Sequence, residues 1–309
     1  MLSGFVLSFA YQAKLDAGWS TISFFKVRVA RLYPLYFVGL VLGLLLLISV
    51  RAHHNAESSP LLEVGLGLLI LPMGSRRFFS GTTAFPLNFP SWSIFFELIA
   101  NLVHAAFLRR RTTRALSFLA LGSLAAMALW ARRFGTINEG ANSPENVLCI
   151  FRVLFSYTAG MLLYRCWRSG WWKLKFPPVL IALALLAALA LPVGIVGHRA
   201  RQELLIIVFL FPTLILAASV AHPSPWWNRP FQVLGQASYA LYILHGPLLQ
   251  CFERGWAMMT KHRVNLDAPW TGLFFLTLLM ACALLIDRIY DAPARGYLRR
   301  KLAGAGKTT

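Results

Sequence analysis

Polar and apolar positions along the chain form long apolar runs joined by short polar links, the pattern of helices that cross a bilayer. Runs at about 35–50, 90–108, 115–131, 147–165, 178–196, 202–221, 232–250 and 269–287 each approach the roughly 20 helical residues that a hydrocarbon core requires. Two further runs are too short to cross. Residues 1 to about 12 read as the second half of a helix or a shallow insertion, as if the start of the chain were missing. The run 61–72, with Glu63, Gly65, Gly67 and a stop at Pro72, reads as re-entrant or shallow. The expected fold class is all-α: a polytopic transmembrane helix bundle of about eight full spans plus an N-terminal partial helix. It forms a single domain over 1–309 with no soluble domain.

One run differs from the others. In Pro90-Ser91-Trp92-Ser93-Ile94-Phe95-Phe96-Glu97-Leu98-Ile99-Ala100-Asn101-Leu102-Val103-His104, the residues Ser93, Glu97, Asn101 and His104 recur at i, i+4, i+8 and i+11. They make one polar stripe on an otherwise apolar helix. A stripe that includes an acid must face protein or water rather than lipid. His104, at its inner end, is expected at the membrane interface.

Composition agrees with the pattern. Hydrophobic residues make up 58% and charged residues 13% of the 309, whereas a soluble globular chain carries about a quarter charged residues. The net charge of +19 sits in clusters between apolar runs rather than on a folded face with interleaved aromatics. It therefore points to the positive-inside pattern and contact with membrane lipids, with no nucleic acid partner. If Lys26, Arg28 and Arg31 are cytoplasmic and 61–72 does not cross, then Arg109 to Arg111 with Arg114, Arg165 to Lys175 and the tail Arg295 to Lys307 share that side. Arg51, Arg76, Arg77, Arg132 and Arg133 then lie outside. This implies a multi-pass protein of the inner (plasma) membrane. Cys149, Cys166, Cys251 and Cys282 show no metal spacing and read as ordinary helix residues. His53 and His54, near Asn55 and Glu57, read as a solvated outer loop, so no metal is expected. Gly39 and Gly43 form a small-xxx-small pair suited to close helix packing.

Several segments resemble a known family. Arg28-x-x-Arg31-Leu32-x-Pro34, Pro90-Ser91-Trp92-Ser93-x-x-x-Glu97 and Leu234-Gly235-x-x-Ser238-Tyr239-x-Leu241-Tyr242-x-Leu244-His245 are similar, in this order, to signatures of the membrane acyltransferase-3 family. Ser3-Gly4-Phe5 resembles the segment that opens that family's second helix. The resemblance implies about ten transmembrane helices and transfer of an acyl group, often acetyl from cytoplasmic acetyl-CoA, to a hydroxyl of a carbohydrate or lipid-linked glycan at the outer face. Acyl-CoA is then a donor substrate, and no cofactor is bound. The resemblance also implies a first helix carrying an Arg and, about eleven residues on, a His acting as base. This sequence does not contain that helix, so the chain is expected to be N-terminally truncated and its activity as written is open.

An O-acyl transfer needs a base for the acceptor hydroxyl, dipoles for the developing oxyanion and cations for the donor's phosphates. Arg28 and Arg31, three apart at a helix end, suit the phosphates of CoA, or simply anchor the helix at the cytoplasmic face. Glu97 orients or charge-balances a catalytic His, acts on the acceptor itself, or makes an interhelical hydrogen bond. His245 binds acceptor or donor, or bonds a backbone carbonyl near a helix break at Pro247. By rise per residue, Glu97 and His245 sit about 10 and about 8 Å below the outer ends of their helices, which is compatible with one site. Ser91, Trp92 and Ser93 are expected to shape a helix entrance, with Ser91 or Ser93 as N-cap. Ser238 and Tyr242 share a face with His245, and Tyr239 belongs to the same motif. From other classes, a polytopic transporter or flippase using Glu97 and His245 as a substrate or proton path is an alternative, as is a nonfunctional membrane remnant. If the chain is a truncated acyltransferase, DNA immediately upstream of Met1 should encode, in frame, an apolar helix with Arg and His about eleven residues apart. Sequencing that region checks this, and its absence would favour the remnant.

Overall fold

The computed structural model describes residues 1–51, 60–73, 76–78, 81–137, 146–190 and 199–305; His53, His54, Asn55, Glu57 and Lys307 lie outside them. In chain order the helices are α1 (Leu2–Asp16), α2 (Thr21–Arg51), α3 (Pro60–Leu68), α4 (Ser91–Ala106), α5 (Thr113–Phe134), α6 (Asn146–Arg168) and α7 (Pro178–Ala190). They continue as α8 (Arg199–Leu205), α9 (Phe211–Ser219), α10 (Pro225–Thr260), α11 (Trp270–Ile286) and α12 (Ala292–Ala305). Between α3 and α4 lies a short antiparallel hairpin of β1 (Arg76–Phe78) and β2 (Gly81–Thr83), with Arg76 opposite Thr83 and Phe78 opposite Gly81. The fold is thus helical as expected, with this hairpin as the exception.

Among the described residues, five helical stretches are long and apolar enough to cross a membrane: Thr21–Ser49, Thr113–Phe134, Leu148–Arg168, Arg199–Ser219 and Trp270–Leu302. α3, at nine residues, is only about 14 Å long and cannot span, as the run 61–72 led us to expect. Its last carbonyls are taken by α2: Tyr33 Oη donates to Leu68 O at 3.0 Å and Tyr36 Oη to Gly67 O at 2.5 Å, satisfying acceptors that a helix end leaves open.

Two spans are interrupted by π-helical turns, Ile206–Leu210 and Asp287–Asp291. Each ends two residues before a proline, Pro212 or Pro293. A proline inside a helix has no N–H for the carbonyl four residues back and its ring crowds that carbonyl. A local π turn accommodates both defects without ending the helix.

The chain divides into two units, Met1–Phe24 with Phe96–Asn228, and Phe25–Phe95 with Arg229–Thr309. In the first, α1 packs on α6, α6 on α5 and α9, and α5 on α8. The α1–α6 approach is backbone to backbone: a Cβ on Gly4 would strike Tyr157 O, and one on Gly160 would strike Met1 O. Thr112 caps α5 by accepting from Ala115 N at 3.2 Å, and Gly135, at φ 77°, closes it in the left-handed conformation. Arg109 donates to Leu15 O at the end of α1, and Arg165 bonds Thr113 Oγ1 at 2.9 Å and Arg111 O at 2.6 Å. Arg109 and Arg165 therefore also join helix ends.

In the second unit, α2 and α10 run side by side in the same direction. Tyr239 Oη donates to Leu32 O at 2.7 Å, and further along Arg254 Nη1 donates to Ser49 Oγ at 3.2 Å. Gly39 and Gly43 make the close contact expected of them. A Cβ on Gly43 would run into the Leu87 carbonyl, and one on Gly39 would meet Asn88 Nδ2 and Ile243. α10 also corrects an expectation, because Pro230 and Pro247 lie inside one continuous helix of 36 residues. Pro247 does not break it.

The Gly43 contact is backbone, which cannot move aside. Gly43→Ala is therefore expected to cost about 1–3 kcal/mol and to lower the thermal midpoint of the detergent-purified protein. Gly235→Ala, with nothing within 4 Å of the added Cβ, should leave the midpoint unchanged or raise it.

Candidate active site

The segment leading into α4 is seated on α10 at Pro247. Within a helix, the amide of residue 247 would bond the carbonyl of Ile243, and proline has none to offer. That carbonyl is taken instead by Asn88, whose Nδ2 donates to Ile243 O at 3.1 Å with both groups buried. A Cβ on Gly246 would lie 3.1 Å from the Pro90 ring, and Tyr242 Oη donates to Pro90 O at 3.4 Å. The Pro90–Ser93 motif and the Ser238–His245 motif therefore meet in one unit. The Arg28–Pro34 motif joins them through Tyr239 and Leu32 O.

The start of α4 differs from the expected cap. Ser91 N, Trp92 N and Ser93 N donate to the carbonyls of Asn88, Phe89 and Pro90, at 2.9, 3.3 and 3.2 Å. Ser93 Oγ donates to Pro90 O at 3.1 Å rather than accepting from an amide. Neither serine is an N-cap here, because the turn before the helix already occupies those amides. Ser91 is buried beside Tyr36, and Trp92 is half-buried.

On α10, Ser238 is exposed and bonds Gly235 O of its own helix at 2.8 Å. His245 is half-buried, with its ring centroid 5.7 Å from that of Tyr242. Its Nδ1 lies 2.6 Å from Tyr242 O. A carbonyl only accepts, so Nδ1 is the donor of this bond. The backbone bond anticipated for His245 is thus present, and it engages Nδ1 rather than Nε2.

The two arginines of α2 differ in setting. Arg28 is 4% exposed, whereas Arg31 is exposed and within electrostatic reach of Asp291. Asp291 belongs to a cluster that sequence reasoning missed. Arg295 bonds Asp287 Oδ1 at 2.6 Å and Asp291 Oδ2 at 3.0 Å. The signal was the four-residue spacing of Asp287, Asp291 and Arg295 after an apolar run, which places them on one helical face.

In the first unit, the stripe on α4 sinks progressively into protein. Glu97 is half-buried, while Asn101 and His104 are completely buried. His104 is enclosed by protein: it lies against Tyr157, ring centroids 5.6 Å apart and edge-on, and Phe24, at 6.4 Å. Phe24, at the start of α2, and Tyr157 on α6 bring cover to this face that the periodicity of α4 alone could not reveal. Among the described residues, neither Asn101 Nδ2 or Oδ1 nor His104 Nδ1 or Nε2 has a hydrogen-bonding partner. Such buried polar groups are costly unless water or ligand completes them.

These observations define a polytopic, helical membrane protein with ionisable and amide groups held inside its helices. The acyltransferase-3 family model, an acyltransferase domain, matches residues 1–288, and the chain belongs to that family. O-acyl transfer is the family-level chemistry, with acyl-CoA as its general donor. Over 125 residues the chain is 38% identical to Protein 2 in picA locus of Rhizobium radiobacter, a match covering 37% of this chain and 64% of that protein. No solved structure matches the chain.

If Asn88 is needed because Pro247 leaves Ile243 O open, Asn88→Ala should cost about 1–3 kcal/mol. It should cost clearly less in a Pro247→Ala background, where the new amide can bond that carbonyl. A double-mutant cycle on thermal stability measures the coupling.

Proposed function

We propose that the chain is an integral-membrane O-acyltransferase that moves an acyl group, most simply acetyl, from cytoplasmic acyl-CoA to a hydroxyl of a carbohydrate or lipid-linked glycan at the outer face of the plasma membrane. Family membership supports the reaction class. The observation that carries the proposal is the meeting of three separately recognised motifs around α2, the Asn88–Ser93 turn and α10. A topology of about eight spans, with α3 as a shallow insertion, goes with it, as does a single acyltransferase domain over 1–309.

In the overall reaction the acceptor oxygen bonds the acyl carbon, the carbon–sulfur bond of the thioester breaks, and the acceptor's proton ends on the departing CoA sulfur. His245, with Nδ1 held by Tyr242 O, is suited to carry that proton on Nε2. Glu97 acts as a second acid–base or charge-balancing group on α4. Arg31 meets the donor's phosphates from the aqueous side, while Arg28, buried one helical turn away, supports the same anion from within. Ser91, Trp92, Ser93, Ser238, Tyr239 and Tyr242 shape the surroundings of His245.

The test uses membranes carrying the protein expressed from its full reading frame, labelled acetyl-CoA and extracted lipid-linked glycans. Label should enter the glycan. Glu97→Gln, His245→Gln and the pair Arg28→Ala/Arg31→Ala should each lower incorporation by about 10²-fold or more, with membrane insertion unchanged. Undiminished transfer in these variants would remove the assignments. Movement of a solute without consumption of any acyl donor would identify a transporter.

A further inference from the structure

The first unit holds a cavity of about 900 Å³ between α5 and α8, apart from every residue assigned above. Its volume lies in the usual range of ligand sites, about 300–1,000 Å³. Its lining is sharply divided. One end carries Arg132 from the last turn of α5 and Arg199 and Arg201 from the start of α8. The remainder is apolar, including Leu124 and Ala128 on α5 and Val208 and Phe209 on the π turn. The helices run antiparallel here, so the apolar wall extends about 12 Å from the arginines along each of them, eight residues at 1.5 Å. The π turn ahead of Pro212 forms part of that wall, and such turns recur at functional sites.

Of the three charges at the mouth, that of Arg199 is met from within and those of Arg132 and Arg201 are not. Glu203 is engaged by Arg199 Nε at 2.9 Å, Thr136 Oγ1 at 2.9 Å and Ile137 N at 2.7 Å. Among the described residues, Arg132 and Arg201 are in no ion pair, and both are exposed. Both arginines therefore remain for an anion that also carries a long apolar tail. α5 and the α8–α9 stretch are themselves apolar enough to span a membrane, so the groove opens where lipid is the solvent.

We propose that this groove is a binding site for one anionic glycerophospholipid, with its phosphate between Arg132, Arg199 and Arg201 and an acyl chain along the wall of α5 and the π turn. A neutral zwitterionic lipid fits less well, because its own cation would face the guanidinium groups. Arg132→Ala/Arg201→Ala should weaken binding by about 25-fold, at roughly fivefold for each arginine close to a lipid phosphate. Ala128→Trp should weaken it with every charge retained, by filling the apolar wall.

The experiment is native mass spectrometry of the full chain released from phosphatidylcholine nanodiscs doped with phosphatidylglycerol, using only variants that elute as a single folded species. One phosphatidylglycerol should be retained preferentially, lost in Arg132→Ala/Arg201→Ala and kept in the control pair Arg110→Ala/Arg114→Ala. Equal loss in both arginine pairs would reduce the effect to general surface charge and overturn the site. So would retention of phosphatidylcholine and phosphatidylglycerol alike. Displacement of phosphatidylglycerol by an equimolar polyprenyl phosphate would overturn the choice of occupant.

Discussion

The carbonyl of Ile243 is the point on which the second unit depends. Pro247 denies it a helical partner, and α10 nevertheless continues through that position because Asn88 supplies the missing donor. Gly39 permits this, since any side chain there would press on Asn88 and Ile243 together. A proline, a glycine and an asparagine from three separate segments thus form one device. It fixes where the turn before α4 sits on α10, and hence where Pro90 lies relative to Tyr242 and His245.

The same logic, a backbone group left over by one element and met by another, recurs through the molecule. Tyr33 and Tyr36 take the last carbonyls of α3, and Arg109 takes a carbonyl at the end of α1. Where such groups lie within the hydrocarbon core no water is available to them, and a protein partner is required. Asn101 and His104 are the counter-example, wholly buried with no partner among the described residues.

Much of the candidate site was legible because its elements are local. Arg28 and Arg31, the Pro90–Ser93 turn, Glu97 and the Ser238–His245 helix face could each be named from residue type and spacing. Spacing alone could not distinguish Arg28, which is buried, from Arg31, which is exposed and faces the field of Asp291. Nor could it foresee that Ser93 would donate backward to Pro90 instead of capping α4, because that choice depends on carbonyls already placed by the preceding turn. The ion-paired cluster of Asp287, Asp291 and Arg295 is marked in the sequence only by its four-residue spacing, at the end of a span whose apolar run carries the stronger signal.

The sequence by itself determined the kind of molecule: apolar runs of bilayer length, basic links, a polar stripe on one helix and motifs of one family in order. These are properties of periodicity and composition, carried by residues a few positions apart. Only the tertiary structure decided which of them touch. The bond from Asn88 to Ile243 joins residues 155 positions apart, and no local period encodes such a partner. The stripe of α4 likewise became two environments, half-buried at Glu97 and fully enclosed at Asn101 and His104, because enclosure is conferred by the helices that pack against it.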